Sequence, residues 1–213
     1  MNNRYLIGNA QLIGSREIQS NYFATAFNEN GDLLAVLADG TIDHPNGRAA
    51  AIMAVENCTN IFRQRYAIVQ HEQGNHQFLF ETAMKANRRI QETFYFGRSP
   101  RVSLSLVLFS GDKLQYFNVG VNQIYIYNGH NERTLGNIAS SSYSSGVCGL
   151  PPANIVGLFS AGAHANAQPM ERIKVIESKK EVFDKAQAII ESVRKKGLEI
   201  QLNATVILVE VAR

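Results

Sequence analysis

Residues 32–44 read Asp-Leu-Leu-Ala-Val-Leu-Ala-Asp-Gly-Thr-Ile-Asp-His, and they are the most informative segment of the chain. The apolar run from Leu33 to Ala38 predicts a buried strand. It ends at Asp39, and the next residue, Gly40, allows the backbone to turn sharply. A carboxylate at the mouth of a buried strand can hold a divalent cation, because such cations prefer oxygen ligands. An Asp also caps turns by bonding to the nearby backbone, so Asp39 has two competing interpretations.

The residues on either side of this segment predict further strands and helices. Two strands are expected before it, at Tyr5 to Ile13 and Asn21 to Phe27, and the second forms a hairpin with the strand that ends at Ala38. Two amphipathic helices are expected after it, from Gly47 to Tyr66 and from Asn75 to Phe96.

The second half of the chain is expected to be mostly strand. The predicted strands are Val102 to Phe109, Lys113 to Val119, Gln123 to Tyr127, Asn154 to Ser160 and Asn203 to Val211. Asn128 to Pro152 predicts a mobile surface loop, because its serine-rich run offers little apolar area to bury. Ser178-Lys-Lys-Glu181 predicts a capping box before a helix from Val182 to Val193. Runs of strands separated from a helical pair favour an α+β fold over a doubly wound sheet.

The composition indicates one domain, residues 1–213, with a sizeable core, since 45% of the residues are hydrophobic. The net charge is only +3 and the basic residues are scattered, so nucleic acid is not an expected partner. No long uninterrupted apolar stretch predicts a membrane span, and the first residues do not resemble a signal peptide. We therefore expect a cytoplasmic protein.

The two cysteines do not predict a metal site or a disulfide framework. Cys58 and Cys148 lie far apart and have no zinc-type spacing to each other or to histidine. Cys58 falls in the first helical pattern and is expected in the core, because a free cysteine packs as a small hydrophobe.

Five motifs follow one another along nearly the whole chain: Gly14 to Asn21, Leu37 to Ala51, Asn118 to Gln123, Leu158 to Gly162 and Leu202 to Thr205. In this order they resemble the motifs of the metal-dependent protein serine/threonine phosphatases of type 2C (PPM), particularly the compact bacterial members. The resemblance implies a four-layer αββα sandwich, in which two antiparallel sheets are flanked by helix pairs. It further implies that Arg16 grips a substrate phosphate, that Asp39 and the Gly40 carbonyl are metal ligands, and that His44 lies in a turn.

The chain departs from this family at its acidic positions. The non-acidic residues that stand there are Ser20, Asn21, Val121, Ala161 and Leu202. The family's reaction needs two adjacent cations that acidify a water molecule and stabilise the charge developing on phosphorus. Several carboxylates must offset the charge of those cations, and apolar residues cannot do so.

We therefore expect no catalytic residues and no cofactor, with Asp39 and Gly40 as vestigial ligands. A single Mg or Mn ion at Asp39 is the alternative. Val121, Ala161 and Leu202 are expected to turn a costly charged site into additional core.

The sequence thus predicts a pseudophosphatase that acts as a protein-binding or regulatory module in signalling, with a phosphorylated segment as one expected ligand. The expected partners are proteins, including phosphoproteins and serine/threonine kinases. One alternative is a weak phosphatase that uses a single metal ion or another acid such as Asp43. A second alternative is a scaffold or oligomerisation domain whose cleft is filled by its own side chains.

Overall fold

The computed structural model describes residues 4–41, 43–72, 75–95, 97–136 and 143–212. They form ten strands and five helices, which in chain order are β1 (Tyr5–Leu12), β2 (Asn21–Phe27), β3 (Leu33–Gly40), α1 (Gly47–Glu72), α2 (Asn75–Thr93), β4 (Val102–Ser110), β5 (Lys113–Val119), β6 (Gln123–Asn128), β7 (Asn131–Leu135), β8 (Ser144–Gly149), β9 (Ile155–Phe159), α3 (Ala161–Asn166), α4 (Pro169–Ile176), α5 (Val182–Lys195) and β10 (Ala204–Val211).

These elements fall into two compact units. The central unit comprises Ser20–Gly120 and Ile138–Gly149, and the terminal unit comprises Met1–Gln19, Val121–Asn137 and Leu150–Arg213. Each unit contains one antiparallel sheet of five strands. The predicted α+β class is therefore confirmed.

In the central unit the strand order is β2-β3-β4-β5-β8, and α1 and α2 pack against the sheet. β3 is buried from Leu33 to Ala38 because it lies between two paired strands and beneath α1. Three alanines of α1, Ala50, Ala51 and Ala54, are fully buried in this core and keep the helix close to the strands. Cys58 is fully buried in the same core, as predicted.

In the terminal unit the strand order is β1-β10-β9-β6-β7. The first and last strands of the chain pair along their whole length, from Tyr5 opposite Val211 to Leu12 opposite Ala204. Helix α5 packs on both of these strands, whereas α3 contacts β9 and β10. This sheet therefore carries three helices, of which α3 and α4 were not expected from the sequence.

Two expectations about local structure are wrong. The predicted loop from Asn128 to Pro152 contains β7 and β8, which are edge strands and therefore lack the apolar alternation of a buried strand. Part of its serine-rich run, residues 140–142, lies outside the described residues. The predicted capping box at Ser178 to Glu181 does not form, because the N-cap of α5 is Glu181 and its side chain makes no capping hydrogen bond.

Within the part of the chain that the structure describes, no helix is both long and apolar enough to cross a membrane.

Candidate functional site

Asp39 and Gly40, called the corner below, are the last two residues of β3, which is an inner strand of the central sheet. Asp39 is directly opposite Asn21 on β2 and directly opposite Ser103 on β4. The Gly40 N–H donates to the Ser20 carbonyl at 3.2 Å, which fixes the corner to the residue before β2. Asn21 is buried and Asp39 is half-buried. The structure therefore brings together Ser20, Asn21 and Asp39, the three positions of this unit that the resemblance implies as acidic ligands.

Close packing explains why the residue after Asp39 is a glycine. A Cβ atom on Gly40 would lie 2.0 Å from the carbonyl oxygen of Gly47, at the start of α1. The next residue is also fixed, because the Thr41 hydroxyl donates to the Arg101 carbonyl at 2.7 Å. The first turn of α1 is thus held against the end of β3 without space for a side chain.

His44 holds the turn between β3 and α1. Its Nδ1 accepts a hydrogen bond from the Asn46 N–H at 3.1 Å, which leaves Nε2 to donate to the Arg98 carbonyl at 2.6 Å. Both ring nitrogens therefore form hydrogen bonds with backbone atoms, as expected for a residue that stabilises a turn. Asp43, the alternative acid, is exposed.

The other three positions without an acidic residue lie just outside the ends of β6, β9 and β10 in the terminal sheet. They are Val121, Ala161 and Leu202. The register pairs Gln123 with Phe159 and Phe159 with Val206, so the residues just beyond these strand ends are neighbours. Direct contact supports this, because a Cβ atom on Gly162 would lie 2.3 Å from the Asn203 carbonyl oxygen and 2.9 Å from Leu202 Cβ. Val121, Ala161 and Leu202 thus belong to one edge, as the order of the motifs implies.

These substitutions do not extend the core. Val121 is 54% exposed and Leu202 is 39% exposed, so the expectation that both add to the core is wrong. Ala161 is half-buried at the first position of α3. Val121 and Leu202 therefore carry no charge at positions where the resemblance implies acids, and they bury little apolar area there.

Asn203 holds the segment that carries Arg16, and sequence reasoning did not single it out. Its side chain is 2% exposed; Oδ1 accepts from the Gly14 N–H at 2.9 Å, and Nδ2 donates to the Ile18 carbonyl at 2.8 Å. One amide group therefore bonds to both ends of the Gly14 to Ile18 segment, and Arg16 is exposed between them. Its neighbour Ser15 adds a bond from its N–H to the Gln201 carbonyl at 2.8 Å. Conversion of the Asn203 amide to any apolar side chain would remove both anchors.

A second polar cluster lies between β6, β7, α3 and α4 of the terminal unit. The Arg172 guanidinium is 2% exposed, binds both carboxylate oxygens of Glu132 and lies 4.5 Å from the ring centre of Tyr125. The Tyr125 hydroxyl donates to His164 Nδ1 at 2.5 Å. Burial raises the pKa of Tyr125 to about 12, so it stays protonated as a donor. Burial and the Arg172 charge lower the pKa of His164, so its ring stays neutral as an acceptor.

No protein-family model matches this chain, and no curated protein matches it. Solved structures, however, match nearly its whole length. The serine/threonine phosphatase of S. agalactiae is 20% identical, with a TM-score of 0.80 over 97% of this chain and 99% of its own. The PPM Ser-Thr phosphatase MsPP from Mycobacterium smegmatis is 16% identical, with a TM-score of 0.74 over 97% of this chain and 98% of its own. The fold is that of the PPM-type serine/threonine phosphatases. At these identities the likeness confirms the fold that the sequence motifs imply.

A further PPM-type structure overturns one expectation. The catalytic domain of the serine/threonine phosphatase PstP is in complex with two manganese ions; it is 15% identical, with a TM-score of 0.78 over 98% of this chain and 99% of its own. The expectation that no cofactor is involved is therefore wrong for this fold, because it was drawn only from substituted positions.

The metal-ligand atoms near Asp39 differ from those that two adjacent divalent metal ions need. Within the described residues, no group of three or more His, Cys, Asp and Glu side chains could hold a metal ion. The donors at the corner in the central unit are the Asp39 carboxylate, the Gly40 carbonyl and the Asn21 amide. One carboxylate offsets too little charge for two adjacent divalent cations, so these donors do not fit a two-metal cluster.

Proposed function

We propose that this chain is a PPM-fold binding module that recognises a phosphorylated segment of a partner protein in the cytoplasm and does not hydrolyse it. The observation that carries the proposal is the register at the two sheet edges. Asn21 lies opposite Asp39, and Val121, Ala161 and Leu202 lie just outside the paired ends of β6, β9 and β10. The resemblance implies acidic ligands at these positions. Phosphoester hydrolysis in this family requires the metal cluster that those acids hold.

Binding a phosphate group requires fewer functional groups than hydrolysing a phosphoester does. An arginine can bind a phosphate through two parallel N–H···O bonds, without a metal ion or a general base. Arg16 is exposed, and Asn203 anchors both ends of its segment by hydrogen bonds. Because the segment is already ordered, less conformational entropy is lost when a ligand binds there.

The first experiment tests for hydrolysis. The protein is assayed with manganese and with magnesium, on an aryl phosphate and on a phosphoserine peptide pool, beside Asp39→Ala. We expect turnover at the level of the buffer for both proteins. Metal-dependent turnover that Asp39→Ala abolishes would show an active phosphatase and contradict the proposal.

The second experiment tests for binding. A degenerate phosphoserine and phosphothreonine peptide pool is compared with the same pool without phosphate, on wild type, Arg16→Ala and Arg88→Ala. Arg88 is the matched control because it is an exposed arginine on α2, paired with Glu92 at 2.8 Å. We expect the phosphorylated pool to bind preferentially, and the preference to be lost only in Arg16→Ala. The proposal that Arg16 recognises phosphate would be contradicted if Arg16→Ala still preferred the phosphorylated pool, or if wild type showed no such preference.

A further inference from the structure

The central unit contains an apolar cavity that the candidate site does not use. It has a volume of about 260 Å³ and lies between α1 and α2 on one side and β4 and β5 on the other. Three alanines, Ala54, Ala83 and Ala86, line it from the helices. Because alanine ends at Cβ, the helices approach the sheet here without filling the space between them.

The walls of the cavity are apolar and largely aromatic on one side. Ile90, Leu104 and Phe117 are each at most 5% exposed. Phe117 stacks on Tyr143, with ring centres 5.1 Å apart and planes at 21°. Ordered water needs several polar partners, and such walls do not supply them. An apolar cavity of about 150 Å³ in another protein stays dry and binds benzene, so this one has room for a bicyclic ring.

The rim of the cavity differs from its walls. Met84, Asn87 and Tyr143 line it and are exposed. The Asn87 amide offers a donor and an acceptor, the Tyr143 hydroxyl can do the same, and the Met84 side chain adapts to different shapes. A ligand can therefore place a ring against the walls and one polar group at the mouth.

We propose that this cavity is a binding site for a small, neutral, mainly apolar molecule of about the size of a bicyclic aromatic ring, with one hydrogen-bonding group that contacts Asn87 and Tyr143. Pockets of this kind, with apolar walls and a few convergent polar groups, are where proteins bind small molecules. Arg16 does not line the cavity, so the proposal does not rest on phosphate recognition.

The cavity is adjacent to the corner of the candidate site through the sheet. Its wall residue Val102 is directly opposite Gly40 in the ladder between β3 and β4. A second wall residue, Val119, pairs with Leu104 and precedes Gly120 at the same edge. A bound molecule would therefore contact the strand residues that position Asp39 and Gly40.

The experiment uses two probes that differ by one hydroxyl group, naphthalene and 1-naphthol. Binding to the full chain is measured by thermal shift and by ligand-observed NMR. Three variants are compared with wild type: Ala86→Leu, which fills the cavity; Asn87→Ala, which removes the amide; and Ala165→Leu, which makes the same change at an exposed position of α3.

We expect wild type and Ala165→Leu to bind both probes saturably, and Ala86→Leu to bind neither. Asn87→Ala should weaken 1-naphthol about fivefold, the equivalent of one hydrogen bond, and leave naphthalene unchanged. The proposal is overturned if wild type shows no saturable binding, or if folded Ala86→Leu still binds. If Ala86→Leu does not fold, the Asn87→Ala result decides: equal changes for both probes, or none, overturn the proposal.

Discussion

Asn21 and Asp39 lie directly opposite each other on the antiparallel strands β2 and β3. Side chains in such a pair share one face of the sheet, with Cβ atoms about 5 Å apart. An amide at position 21 neither repels the Asp39 carboxylate nor adds charge to hold a cation. The pair therefore holds one carboxylate and one neutral amide.

A second carboxylate at this pair should make the stability of the central unit depend on metal. In Asn21→Asp two carboxylates face each other at a buried position, so we expect a loss of about 1–3 kcal/mol in the free energy of unfolding. Manganese should recover part of this loss, because a ligand that binds only the folded state stabilises it. Unfolding is followed with and without manganese, beside Asn30→Asp in the exposed turn between β2 and β3. Equal stability of the two variants in chelator would contradict the prediction.

Gly40→Ala should destabilise the protein. The new methyl group would lie 2.0 Å from the Gly47 carbonyl oxygen, so α1 or β3 must shift, at a cost of about 1–3 kcal/mol. Gly149→Ala is the control, since a Cβ atom there meets nothing within 4 Å. Urea unfolding measures both. A Gly40→Ala protein as stable as the Gly149→Ala protein would mean that the corner is not tightly packed.

Asn203→Ala should release the Arg16 segment. The change leaves the Gly14 N–H and the Ile18 carbonyl without their side-chain partner, at a cost of about 1–3 kcal/mol. Hydrogen exchange should speed up at Gly14 while the strands of the central sheet are unaffected. Asn131→Ala, at an exposed position of β7, is the control and should not change exchange at Gly14.

Arg172→Met should cost more than the double variant Arg172→Met with Glu132→Leu. The single change leaves the Glu132 carboxylate, whose side chain is only 11% exposed, without its cation. Breaking a buried pair in this way costs about 3–5 kcal/mol, whereas replacing both partners by apolar groups is often near neutral. The free energy of unfolding decides between them, and a double variant less stable than the single one would contradict the argument.

The stability of the protein should fall as the pH drops below about 6.5, the ordinary pKa of histidine. Burial and Arg172 lower the pKa of His164 in the folded state. Between the lowered and the ordinary pKa the unfolded chain therefore binds a proton that the folded protein does not. His164→Asn should reduce this loss of stability. Melting temperatures from pH 5 to 8 test the difference.

The sequence predicted the elements whose patterns are produced by local burial. Leu33 to Ala38 is a continuous apolar run because β3 is buried on both faces, and α1 is recognised from its buried stripe. β8 was not predicted, because an edge strand such as Ser144 to Gly149 pairs through its backbone and leaves no apolar pattern. α3 was missed because its six residues are too short to show helical periodicity.

The same contrast holds for the site. The position of Asp39 and Gly40 at the end of a buried strand could be predicted from the apolar run before them, whereas their role as metal ligands stays a prediction. The exposure of Val121 and Leu202 could not, since an apolar residue in sequence indicates burial in general and not at a given strand end. The role of Asn203 depends on contacts with residues nearly 190 positions away, and no local pattern reports them.

The pairing of β1 with β10 sets an order of events during synthesis. β10 lies between β1 and β9, so the sheet of the terminal unit lacks an inner strand until Ala204–Val211 has left the ribosome. The central sheet needs only β8 after residue 120, and it can form earlier. Until β10 arrives, β1 and β9 expose unpaired edges, which are the places where nascent chains aggregate. Truncation just before Ala204 should therefore yield a protein that depends on chaperones, with a folded central unit and an unprotected terminal sheet.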